Sequence, residues 1–168
     1  GETHAQRLVT LQNFLVERHR AGQSTVLILD EAQNLFPQTL EQIRLLSNFE
    51  TTKEKILQIL LVGQPELRAK LEMPELRQLN QRIGARALLT PLNPAESRDY
   101  IGFRLRAKGG ETDKVFSPRA LKAIIRAGAG NPRRINVLCH NAMLQAYAAG
   151  ATRVDTATVK AVVREYEG

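Results

Sequence analysis

The sequence predicts an α/β core built on a parallel sheet, followed by a smaller all-helical part. Three observations carry this. Val26-Leu27-Ile28-Leu29 is a continuous apolar run ending on two carboxylates, Asp30 and Glu31. A second apolar run, Ile56 to Val62, comes after an intervening helical pattern. Beyond Pro91-Leu92-Asn93-Pro94 the periodicity is helical throughout. Runs without polar alternation suit strands buried on both faces, as in a parallel sheet covered by helices.

Taken in order, Leu8, Leu11, Phe14 and Leu15 recur at helical spacing and predict a helix over about 6–20, with Gly22 past its end. Residues 24–29 form the first strand. Pro37 suits a first helical turn, and Leu40, Ile43, Leu46 and Phe49 mark one face of a helix reaching about Phe49. Residues 56–62 form the second strand, and strand, helix and strand at this spacing read as a βαβ crossover with parallel strands. Residues 66–72 and 75–83 read as two short helices parted by Met73-Pro74, and Ala85–Leu89 as a further short strand. Four helices then fit, over about 95–107, 118–127, 132–148 and 156–166, with Asn93, Ser117, Asn131 and Asp155 as N-caps. The predicted boundary separates residues 1–92 from 93–168.

Composition narrows the chemistry. The lone cysteine, Cys139, cannot form an internal disulfide or a cysteine-rich metal site. No apolar stretch is long enough to cross a bilayer, and no signal peptide opens the sequence. The net charge of +7 is concentrated between Arg98 and Arg134, where ten Lys/Arg face three Asp/Glu. Such a stretch suits phosphates, nucleic acid or an acidic partner, and equally a solvated face. No Trp occurs, so a base-stacking platform is not evident. His4, His19 and His140 have no nucleophile at a defined spacing.

Paired carboxylates at a strand end are the Walker B arrangement of ATP hydrolases. In it the first acid, here Asp30, holds magnesium through water, and the second, Glu31, orients or deprotonates the water that attacks the γ-phosphate. Alone, the pattern also suits a solvated acidic turn. Gln64, first polar side chain past the second strand, would lie beside Asp30 and contact the γ-phosphate or the attacking water; it also suits a turn before Pro65. Arg82 and Arg86 lie where a ring-forming ATPase projects an arginine to its neighbour's γ-phosphate, although a surface ion pair suits the spacing too. Asn131-Pro132 opens a helix whose first turn carries Arg133, against the dipole preference for acids, and a bound phosphate would explain it.

Five segments in this order make a resemblance: Leu29-Asp30-Glu31-Ala32-Gln33-Asn34-Leu35, Leu40-Glu41-Gln42-Ile43-Arg44-Leu45-Leu46-Ser47-Asn48, Leu61-Val62-Gly63-Gln64-Pro65-Glu66-Leu67, Leu79-Asn80-Gln81-Arg82-Ile83 and Gly130-Asn131-Pro132-Arg133-Arg134-Ile135-Asn136. Together they resemble the AAA+ ATPases of the general secretion pathway protein A type and their pilus-biogenesis relatives. The resemblance implies Asp30 for magnesium, Glu31 for catalysis, Gln64 as sensor 1, Arg82 as arginine finger and Arg133 as sensor 2, with Arg86 and Arg134 as second choices. It implies ATP and Mg2+ as cofactors of the intact parent, a homo-oligomer, and secretion or pilus machinery as partners. The expected location is the cytoplasm or the cytoplasmic face of the bacterial inner membrane.

No Gly-x-x-x-x-Gly-Lys-Ser/Thr occurs in the sequence, so the backbone cradle for phosphates has no counterpart in it. With no initiating Met and a helix starting almost at once, an N-terminally truncated domain is expected, inactive alone and holding no nucleotide tightly. In the resembling family the missing strand lies between those corresponding to Ala85–Leu89 and Ile56–Val62. These two are expected to close on each other, to pair with another chain or to leave exposed edges. Two other readings stand beside this one: a DNA-binding AAA+ regulator of transposition or replication loading, and an adaptor that hydrolyses nothing.

Overall fold

The computed structural model describes residues 3–49 and 55–167. The polypeptide divides into two compact units, Gly1–Ala87 and Leu88–Gly168.

In the first unit, α1 (His4–Arg20) starts on a capping box in which Thr3 and Gln6 bond reciprocally, and its last turn carries Arg18, His19 and Arg20 where the helix dipole favours cations. β1 (Thr25–Leu29) and β2 (Leu57–Leu61) pair in parallel, with Thr25, Leu27 and Leu29 opposite Leu57, Ile59 and Leu61. Between them lies α2 (Pro37–Leu46), with Pro37 in the first turn, where its missing N–H costs nothing. α3 (Glu66–Leu71) and α4 (Arg77–Arg82) follow β2. Leu40 and Ile43 of α2 pack with Leu67, Leu71, Leu76 and Leu79 into one core, and Leu15 of α1 with Ile56 and Leu57 into another.

Two expectations fail here. The strands are covered on one face only: Val26 and Ile28 of β1 and Gln58 and Leu60 of β2, which share the other face, are exposed. An apolar run reports hydrophobicity, and cover requires an element to pack on it. Ala85–Leu89 is not a strand; residues 83–93 have no regular structure, and Leu88 and Leu89 are 79% and 93% exposed. An isolated strand has no partner for its backbone groups, and the sheet holds β1 and β2 alone among the described residues. The two segments therefore do not close on each other. α2 also stops at Leu46, three residues short of the predicted end, with turn structure through Asn48.

The second unit is all-helical: α5 (Pro94–Arg106), α6 (Thr112–Val115), α7 (Pro118–Gly128), α8 (Pro132–Ala148) and α9 (Thr156–Glu167). The short α6 was not foreseen, one turn being too brief for periodicity to reveal. Asn93, Ser117, Asn131 and Asp155 each accept a backbone N–H of the helix they open, as predicted. Ile101, Phe116, Leu121, Ile124, Ile135, Leu138, Val159 and Val162 are nearly or fully buried and form one core. A parallel bridge, Phe116 with Val154, ties the α6–α7 corner to the segment before α9.

Candidate functional site

β1 delivers Asp30 and Glu31 at its C-terminal end, and both lie at the surface of the turn that follows. The backbone turns there at once. Glu31 adopts a left-handed conformation (φ 53°, ψ 35°), unfavourable for a residue with a Cβ, and a single turn of 3-10 helix, Ala32–Asn34, follows. Two bonds hold the turn. Asp30 Oδ1 accepts from the Glu31 N–H at 2.8 Å, and the Ala32 N–H donates to the Val62 carbonyl at 2.9 Å. The second continues the pairing beyond the strands, since the Val62 N–H already donates to Leu29 O.

Parallel register sets Leu29 against Leu61, so Asp30 comes level with Val62 and Gln64 lies two residues further on. Gln64 therefore meets Gln33 rather than Asp30. Its backbone N–H donates to Gln33 Oε1 at 3.0 Å, and Gln33 Nε2 donates to Glu31 Oε2 at 2.6 Å. From α3, Lys70 Nζ donates to the carbonyls of Gln33 and Leu35, the latter at 2.9 Å. One hydrogen-bonded unit thus gathers Asp30, Glu31 and the Gln64 loop. Sequence reasoning gave Gln33, Gly63 and Lys70 no role; a polar amide two residues past the acid pair and a glycine at the strand exit were the only signals.

The remaining predicted residues lie elsewhere. The Arg82 guanidinium, at the end of α4, donates to Ser47 Oγ at 3.0 Å and to Asn48 Oδ1, just past α2. Arg86 donates to Asn80 Oδ1. In the second unit Arg133 is exposed in the first turn of α8, whereas Arg134 lies over the Tyr166 ring with 5.4 Å to its centroid. Among the described residues no three His, Cys, Asp or Glu gather into a metal cage. A lone carboxylate pair is a hard-oxygen donor set, which suits magnesium completed by waters and phosphates better than a fully protein-ligated ion.

Comparison with known proteins decides the fold. An AAA domain family model matches residues 1–71. ORC2 of Aeropyrum pernix in its ADP form superposes with a TM-score of 0.70 at 23% identity, over 92% of this chain and 43% of that one. The chain has the AAA+ fold. Cdc6p of Pyrobaculum aerophilum (TM-score 0.65, 19% identity, 92% of this chain and 41% of that one) shares it. So does the RuvB Holliday junction branch migration motor of Thermotoga maritima (TM-score 0.58, 17% identity, 91% and 48%). In sequence the chain is 40% identical over 158 residues to General secretion pathway protein A of Aeromonas hydrophila, as the five motifs implied. The match takes in 94% of the chain and 29% of that relative. No described helix is long and apolar enough to cross a membrane.

Proposed function

We propose that this AAA+ chain carries the magnesium-and-water half of an ATP-hydrolysing site. The supporting observation is the junction at the strand ends, where Asp30 and Glu31 follow β1 and Gln33 joins Glu31 to the Gln64 loop after β2. In open α/β sheets ligands bind beyond the carboxyl ends of the strands. Asp30 would hold Mg2+ through water, with one oxygen steadied by the Glu31 N–H. Glu31 orients the attacking water, and Gln64 faces the γ-phosphate. Arg82 of one protomer acts on its neighbour's nucleotide, and Arg133 contacts phosphate, its exposure favouring it over the ring-stacked Arg134. The phosphate cradle is supplied by residues other than these 168, which contain no P-loop motif.

In the intact protein this site drives a homo-oligomer that assembles a cell-envelope secretion or pilus apparatus from the cytoplasm or the cytoplasmic face of the bacterial inner membrane. The 40% identity to General secretion pathway protein A supports this role. The ten basic residues between Arg98 and Arg134 support a second reading, a DNA-binding regulator of transposition or replication loading, for which duplex affinity should fall steeply with salt.

ATP hydrolysis by the full-length protein tests the first reading. Glu31→Gln should lower kcat by about 10²- to 10⁴-fold, the usual contribution of a positioned acid or base, and the 168-residue chain alone should give no turnover. A full-length protein that does not hydrolyse ATP, or whose hydrolysis is undiminished by Glu31→Gln, contradicts the reading.

A further inference from the structure

Gln33 stands between two groups that each demand one orientation of its amide. The Gln64 N–H needs an acceptor, and an ionised Glu31 carboxylate offers only acceptors and so needs a donor. The side chain satisfies both at once, with Oε1 toward Gln64 N–H at 3.0 Å and Nε2 toward Glu31 Oε2 at 2.6 Å, so its flip is fixed by its neighbours. Lys70 pins the same residue through its backbone carbonyl. Gly63 leaves the room: a Cβ there would lie 2.6 Å from Gln33 Oε1 and 3.3 Å from Gln33 N. The exit of β2 is thus closed by Gln33 and by Leu67, whose Cδ2 would lie 3.1 Å from the same Cβ.

We infer that Gln33 is a positioning residue that ties the orientation of the Glu31 carboxylate to the placement of the Gln64 loop. This rests on the ATPase reading above. Glu31 is in a left-handed backbone conformation beside an exposed turn, and without a partner its carboxylate would sample several rotamers. The Gln33 bond engages one carboxylate oxygen and leaves a second to accept from an attacking water. The Gln33 amide thus gives a shift of the Gln64 loop on meeting a phosphate a direct side-chain route to the Glu31 carboxylate.

Gln33→Glu in the full-length protein separates positioning from packing. The variant keeps the shape and the acceptor for Gln64 N–H but sets a carboxylate against Glu31 in place of the donor. The other charged groups at the junction, Asp30 and Lys70, are unchanged. We expect kcat to fall by about tenfold or more with KM for ATP within about twofold, since the lost interaction orients rather than binds. Gly63→Ala, which crowds Oε1 without adding a charge, should reproduce the kcat loss. Hydrolysis that Glu31→Gln abolishes and Gln33→Glu leaves intact overturns this inference alone. A fall in melting temperature and a rise in KM matching the kcat loss also overturn it, by assigning Gln33 to packing. A full-length wild type that hydrolyses no ATP overturns the ATPase reading and this inference together.

Discussion

Gly130 lies against the backbone of Leu92: a Cβ on Gly130 would sit 2.3 Å from the Leu92 carbonyl oxygen and 2.8 Å from its nitrogen. The two residues also bond, with the Leu92 N–H donating to Gly130 O at 2.9 Å. This contact fastens the segment that opens the helical unit to the turn before α8. Gly130 has φ +71°, a conformation that side chains rarely adopt.

Gly130→Ala should therefore destabilise the helical unit by about 3 kcal/mol, from left-handed strain plus a clash with backbone atoms that cannot rotate away. Urea unfolding followed by helical circular dichroism measures it. A loss below about 0.5 kcal/mol, typical of a neutral surface substitution, would show that the chain relieves the contact easily.

Asn93 caps α5 with both halves of a capping box. Its Oδ1 accepts from the Ala95 and Glu96 N–H groups at 2.9 Å each, while Glu96 Oε2 accepts from the Asn93 N–H at 2.8 Å. Asn93→Ala strips two helix-end donors of their acceptor and should cost about 1 kcal/mol, whereas Asn93→Asp should cost nearly nothing. Equal melts for the two variants would assign Asn93 no capping role.

Where local chemistry decides structure, the sequence was easy to read. The four caps, Pro37 in its first turn and the parallel pairing of the two apolar runs follow from propensities and spacing alone. What failed depended on neighbours. Ala85–Leu89 is a short segment ending on two leucines, but no strand lies beside it among the described residues, and β1 is apolar from Val26 to Leu29 yet covered on one face. The candidate site divides the same way. Asp30, Glu31 and Gln64 announce themselves as polar residues following apolar runs, but Gln33 joins them through a bond to a backbone N–H 31 residues away, which carries no side-chain signature. Arg82 is bonded to residues just past α2 within its own unit, contacts that its position in the sequence does not foretell.

Cys139, on α8, gives a pH dependence with a defined sign. Burial disfavours the thiolate and pushes the thiol from its ordinary value of 9.0 up to about 12. On unfolding the thiol returns to water and ionises more readily. The stabilising contribution is therefore complete below about pH 9 and is lost as the pH rises toward 12, where only the unfolded state is free to ionise. Because tyrosines and lysines titrate in the same range, the informative quantity is the difference between wild type and Cys139→Val, which lacks an ionisable group. Between about pH 8 and pH 11 the unfolding free energy of the wild type should fall more steeply than that of the variant. Iodoacetamide should label the native thiol far more slowly than the urea-unfolded one at about pH 8.5, since the thiolate is the reacting species. Parallel slopes and equal labelling rates would mean that water reaches the Cys139 sulfur in the folded chain.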